Sequence, residues 1–201
     1  MLTLGGFTAL SIGLFAIIGL LRGAWKEFLV TTSVLVALSL LGLVESKWPE
    51  VMAWVAHNNQ LPQTLLPGKG PLSAQMMTLV KDAKALFWFR TMVFGTLVFF
   101  GYQTPRFRLQ GGGRFNRMQS AVLGLVFGAV NGFLIIGTVW YFLHAARYFP
   151  FHPFLQPPGS CGHIDSLTQH FLGVLPPIYL KGLLLHGLLI VAMALVLVFF
   201  V

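Results

Sequence analysis

Six histidines and a single cysteine are the side chains of this chain best suited to hold a metal or carry a proton. His144, His152, His163 and His170 share one polar stretch with Cys161 and Asp165, while His57 stands apart. A metal site built on a helix needs ligands on one face, and no histidine pair has the i, i+4 spacing that provides it. Cys161-x-His163 is not a haem-attachment motif. His163 and His170, seven residues apart, would share a face on a continuous helix, but histidines of a wet interfacial loop are the simpler reading. A lone cysteine excludes an intrachain disulfide and a thiolate zinc cluster. The residues therefore point to no metal site.

His186 differs from the others because it stands inside a long apolar run. A polar side chain within a membrane helix is a functional candidate by default. His186 would either donate a hydrogen bond to a neighbouring helix or ligate the metal of a bound pigment or haem. The hydrogen bond is the simpler chemistry, so no cofactor is expected and His186 is the one weak cofactor-binding candidate. Catalytic residues are not expected. No Walker loop, HExxH or GxSxG occurs, which argues against an enzyme. No apolar run carries Asp or Glu in its central part, where a proton- or sodium-coupled transporter usually needs a carboxylate. The prolines fall outside the apolar runs, so broken helices at mid-membrane are not expected.

These residues must be positioned by elements made for lipid. Of 201 residues 56% are hydrophobic and 9% charged. Soluble domains carry nearer a quarter of charged residues. A soluble fold of this length could not hide so much apolar surface. In lipid every backbone polar group must pair internally, leaving helices or a closed barrel. Continuous apolar runs, rather than alternating ones, select helices. The net charge of +8 comes mostly from basic residues flanking those runs, as in helical membrane proteins, and not from a nucleic-acid surface.

The expected fold is all-α: one polytopic membrane domain over residues 1–201, with transmembrane helices near 4–21, 28–44, 85–102, 121–143 and 182–201. The first reads as a retained helix, because its charges, Arg22 and Lys26, follow the apolar run instead of preceding it. Residues 45–84 and 144–181 read as surface segments with short interfacial helices, broken by Pro49, Pro62, Pro67 and Pro71 in the first and by Pro176-Pro177 in the second. In the first segment Trp48–His57 and Ser73–Lys84 look amphipathic. In the second, Ile164–Leu175 reads as a short helix with Asp165 or Ser166 at its N-cap. The link 103–120 is a basic patch holding Arg106, Arg108, Arg114 and Arg117, with no acidic residue. Positive charge concentrated in the short turn after helix one and in this link places both in the cytoplasm, with the N-terminus outside and the C-terminus at the cytoplasmic face.

Gly124, Gly128 and Gly132 recur every fourth residue on the fourth helix, and Gly19 and Gly23 form a similar pair on the first. Such a glycine zipper makes a groove without side chains into which another helix packs closely, in the same chain or another. The turn Arg22-Gly23-Ala24-Trp25-Lys26-Glu27 joins helices one and two. Gly23 can take a positive φ there, and Glu27 suits the first turn of the helix that follows.

Leu-Arg-Gly-x-x-Lys-Glu after a first helix, then Gly124-x-x-x-Gly128-x-x-x-Gly132 behind a basic link, resembles the colicin V production protein family over roughly residues 7–145. The resemblance implies a small bacterial inner-membrane protein linked to toxin export and envelope maintenance, with no agreed catalytic chemistry. The chain differs from the family's pattern in having Leu4-Gly5-Gly6-Phe7 where an acidic residue is common, Asn131 where a basic one is common, and an added last helix. The partners expected are the lipid bilayer and other membrane proteins, in a homo- or hetero-oligomer. An accessory subunit of a respiratory or photosynthetic complex is the second reading and a small channel or transporter the third.

Overall fold

In the computed structural model, residues 3–57, 83–103, 116–148 and 166–200 are described, with side chains over 3–47, 86–103, 116–148 and 166–198. Every regular element among them is helical: α1 (Leu4–Arg22), α2 (Ala24–His57), α3 (Ala83–Tyr102), α4 (Arg117–Ala145), α5 (Ser166–Gly173), α6 (Pro176–Tyr179) and α7 (Gly182–Phe200).

Among the described residues three helices are long and apolar enough to cross a membrane: α1, the part of α2 from Ala24 to Lys47, and α4. The described residues thus show a helical chain with several candidate spans, and the expected count of about five is not reached among them. The apolar part of α3, Leu86–Tyr102, is shorter than a full span. The region before Phe200 qualifies only when Ser166–Tyr179 and Gly182–Val198 are taken together, bent by 72° across their break, which would make a fourth span. The break has local causes. Pro176 and Pro177 do not end α5, which stops at Gly173; they open α6, where a missing N–H costs nothing. Gly182 then turns the chain at φ 50°.

Pro49 is a second departure. It lies inside α2, which continues to His57 instead of ending near Val44. A helix-interior proline removes one i→i−4 bond, and the bonds on either side carry the helix past it. Trp48–His57 thus continues α2 as helix, beyond the candidate span that ends at Lys47. Most of Ser73–Lys84 and of the 103–120 link, including Arg106, Arg108 and Arg114, lies outside the described residues.

Helix ends follow the sequence chemistry. Thr3 caps α1 by accepting the Gly6 N–H at 3.1 Å. At the other end Gly23 adopts φ 86° and its N–H reaches the Gly19 carbonyl at 2.9 Å, so α2 can begin at once. The Asn116 N–H at the start of α4 donates to Gln119 Oε1 at 3.2 Å.

α4 is the organising element. It packs along α1 and against α2, α3 and α6; α3 and α7 lie on α2, and α5 covers the start of α1. The core comprises Val30, Val34 and Leu38 of α2, Phe94 and Val98 of α3, and Leu134 and Phe142 of α4. Phe94 meets Phe142 edge to face, ring centroids 6.0 Å apart. On α1 the usual pattern is inverted: Gly5, Thr8, Ser11 and Gly19 are buried, while Leu10, Leu14, Ile17 and Leu21 point outward. Small residues inside and large apolar residues outside suit a helix whose outer solvent is hydrocarbon, where close packing rather than hydrophobicity joins helices.

Candidate functional site

The tight turn after α1 sets up a buried polar junction. Arg22 is the last residue of α1 and Glu27 lies in the first turn of α2. Because α2 starts at Ala24 rather than near Phe28, Glu27 is inside the helix, and its side chain is 0% exposed. Arg22 Nη1 donates to Glu27 Oε1 at 2.8 Å. The other carboxylate oxygen, Oε2, accepts from Asn131 Nδ2 at 2.9 Å. Asn131 is the middle residue of α4 and is fully buried.

Asn131 has two N–H bonds to place. One goes to Glu27 Oε2 and the other to the Glu27 backbone carbonyl, also at 2.9 Å. Thr31, one turn along α2, completes the set. Its hydroxyl lies 2.8 Å from Asn131 Oδ1 and 3.0 Å from the Glu27 carbonyl, and its single hydrogen serves one of them at a time. The second Arg22 terminal nitrogen, Nη2, donates to the Tyr102 carbonyl at the end of α3, at 3.2 Å. The guanidinium also sits 4.6 Å from the centre of the Tyr102 ring. The Tyr102 hydroxyl is buried and has no hydrogen-bond partner among the described residues. Five residues thus join α1, α2, α3 and α4 at one place.

A carboxylate in low dielectric is costly unless it is paired and hydrogen-bonded. Here both carboxylate oxygens are held, one by a cation and one by an amide. To serve as a base, Glu27 would have to give up the Arg22 contact. The geometry is that of a clasp between helices.

The α1–α4 contact lies beside this junction. A Cβ on Gly128 would come 2.9 Å from Gly19 Cα and closer still to the Phe15 carbonyl oxygen. One on Gly124 would meet the Gly19 carbonyl and come 3.0 Å from Gly23 Cα, and one on Gly132 would lie 2.8 Å from Phe15 Cβ. The three α4 glycines therefore face α1 of the same chain, with no room for a side chain. Gly23 sits against Ser120, whose Oγ accepts the Ala24 N–H at 3.4 Å.

The remaining predicted residues lie elsewhere. Lys26 is exposed beside Glu27 and takes no part in the clasp, and Arg117 is exposed in the first turn of α4. His186 makes its hydrogen bond within α7, Nδ1 lying 2.6 Å from the Gly182 carbonyl, and not to a neighbouring helix as expected. Four residues on, the imidazole ring simply reaches the nearest carbonyl of the preceding turn. His144 and His170 are exposed, and among the described residues no three His, Cys, Asp or Glu side chains come together as a metal site.

A smaller polar cluster holds the far end of α4. Trp140 Nε1 donates to the Tyr148 hydroxyl at 3.0 Å, and His144 Nδ1 lies 3.3 Å from the same oxygen. Tyr148 reaches back because Arg147 and Tyr148 adopt φ of 51° and 61°. Burial raises the Tyr148 phenol pKa, and the Trp140 hydrogen bond partly opposes that rise.

Sequence reasoning marked Arg22 and Glu27 but passed over Asn131, Thr31 and Tyr102 as members of one site. A signal was present. Asn131 is the one amide in the apolar run from 121 to 143, and an amide there must find a partner. Glu27 and Thr31 are one helical turn apart and so share a face. No protein-family model, no curated protein and no solved structure matches this chain.

Proposed function

We propose that this protein is a non-enzymatic integral membrane scaffold of the colicin V production type, resident in a bacterial inner membrane and serving toxin export or envelope maintenance. The observation that carries the reading is the Arg22–Glu27–Asn131–Thr31 junction. The buried ion pair holds helices to one another, and both carboxylate oxygens of Glu27 are already occupied. The Leu-Arg-Gly-x-x-Lys-Glu turn, the motif on which the family resemblance begins, contributes both members of that ion pair. In this reading the α1–α2 turn and the basic link face the cytoplasm.

An accessory subunit of a larger membrane assembly is the second reading. The observation favouring it is α7, which packs on α2, buries Leu185 and Ala192, and leaves most of its other large apolar side chains uncovered.

Purification in mild detergent separates the readings. A lone or homo-oligomeric species is expected for the scaffold. Co-purification in fixed stoichiometry with other membrane subunits would replace it with the second reading. Ion flux through liposomes holding the pure protein would overturn both in favour of a channel or transporter.

A further inference from the structure

We propose that the end of the bundle where α1 turns into α2 and α4 begins is a docking surface for anionic phospholipid headgroups, with Lys26 and Arg117 as the cations that attract them. This goes beyond the scaffold role and does not depend on it.

The bond from the Ala24 N–H to Ser120 Oγ holds the start of α2 beside the start of α4, so Arg22, Lys26 and Arg117 lie at one end of the bundle. Glu27 is the one carboxylate at that end among the described residues. It is 0% exposed, and both of its oxygens are occupied. Arg22 is taken up by this pairing. Lys26 and Arg117 are exposed and have no ion-pair or hydrogen-bond partner among the described residues. The clasp therefore hides the only negative charge and leaves two positive ones on the surface.

The depth of this end matches a headgroup layer. Glu27 and Glu45 are both on α2, about 27 Å apart along its axis at 1.5 Å per residue. The hydrocarbon core of a bilayer is about 30 Å thick. Glu45 pairs with Arg90 of α3 at 2.6 Å. α2 thus carries an ion pair near each edge of its apolar stretch, and the Arg22–Glu27 pair marks one edge. Lys26 precedes Glu27 in the chain, and Arg117 is one turn before Ser120, so both cations fall at that edge.

The same end also exposes hydrocarbon. Leu21, next to Arg22, and Met118, next to Arg117, are 78% and 80% exposed. A soluble acidic partner would leave them in water. A phospholipid covers both halves of such a surface: its acyl chains lie against Leu21 and Met118, and its phosphate meets the cations. The aliphatic stems of Lys and Arg run along hydrocarbon and lift the charge to the headgroup level. The far end differs. Arg147 is exposed there, but Glu45, 42% exposed, displays a carboxylate at the same edge.

Native mass spectrometry of the detergent-purified full chain, titrated with phosphatidylglycerol and separately with phosphatidylcholine, tests the surface. Phosphatidylglycerol should bind more tightly to the wild type. Lys26→Gln and Arg117→Gln should each weaken it by up to about fivefold, the worth of one basic residue near an anionic surface. Phosphatidylcholine binding should stay the same in both variants. Arg147→Gln should weaken phosphatidylglycerol less. On the unaltered chain, raising the ionic strength should weaken phosphatidylglycerol more than phosphatidylcholine. Equal binding of the two lipids by the wild type would overturn the proposal. So would phosphatidylglycerol binding that neither Lys26→Gln nor Arg117→Gln changes, or that Arg147→Gln weakens just as much. Displacement of the lipid by an equal concentration of inorganic phosphate would mean a free-anion site and would overturn it as well.

Discussion

Asn131 Nδ2 donates to both the side-chain carboxylate and the backbone carbonyl of Glu27, each at 2.9 Å, so one amide in the middle of α4 is matched to one residue in the first turn of α2. The match fixes the register of the two helices, because a slip by one turn, about 5.4 Å, would leave all these groups unpaired. Asn131→Leu keeps the approximate volume but removes both donors. The variant should lose about 1–3 kcal/mol, the cost of leaving buried polar groups without partners. A lowered midpoint for thermal unfolding in detergent would show this, and an unchanged midpoint would mean that the amide does not hold the register.

Arg22 and Glu27 should behave as a coupled pair. Arg22→Met leaves the carboxylate buried with only the Asn131 amide. Removing one partner of a buried pair typically costs about 3–5 kcal/mol, and the partial exposure of Arg22 places this case at the lower end. Glu27→Gln should cost less, since the amide oxygen can still accept. The double variant should be more stable than the sum of the single losses predicts, because neither charge is then stranded. Chemical denaturation of the four proteins gives the coupling energy directly. Strict additivity would mean that the ion pair contributes nothing beyond its separate members.

The sequence made the helices legible and their partnerships only partly so. Apolar runs located the bulk of α1, α2, α3 and α4, because continuous hydrocarbon is hard to mistake. It misjudged α2 at both ends. The turn needs only Gly23, so α2 begins earlier than the polar residues imply, and Pro49 bends the rule that proline stops a helix. Fourfold glycine spacing marked a face on α4, but spacing within one helix cannot say which helix fills the groove. Asn131 stood in the sequence as a departure from a family pattern. Its meaning depends on a partner 104 residues away, and no local pattern carries that separation.

The start of α1 has its own lock. Thr168 of α5 accepts the Gly5 N–H at 3.0 Å, in a buried contact, and a Cβ at residue 5 would come 2.7 Å from the Thr168 backbone nitrogen. Gly5→Ala must therefore push α5 away rather than merely tighten a side chain. Thr168→Val removes the acceptor but keeps the shape. Both variants should speed amide hydrogen exchange in Ser166–Gly173 and leave exchange near Asn131 unchanged, since α5 opens locally. Equal acceleration at both places would instead mean that the molecule opens as a whole.

Gly128 is where the largest effect of a single added side chain is expected. It lies against Gly19 Cα and Ala16 Cα, at 2.9 and 3.2 Å from a notional Cβ, and nearer to the Phe15 carbonyl oxygen. All three neighbours are backbone atoms of α1, so no rotamer change can relieve the clash. Gly128→Ala should cost about 1–3 kcal/mol, the usual penalty for overpacking. Gly128→Leu should cost more, because α1 must move outward by several ångströms and dispersion contacts fade within a fraction of that distance. Lipid supplies no hydrophobic pressure to close the gap. The displacement also pulls Arg22 from Glu27, so the loss should spread to the clasp. Val126→Leu, on an exposed face of the same helix, is the control and should be nearly neutral. Unfolding midpoints in detergent should fall in the order Val126→Leu, Gly128→Ala, Gly128→Leu. Equal midpoints for the last two and the wild type would mean that α1 and α4 do not depend on close approach at this glycine.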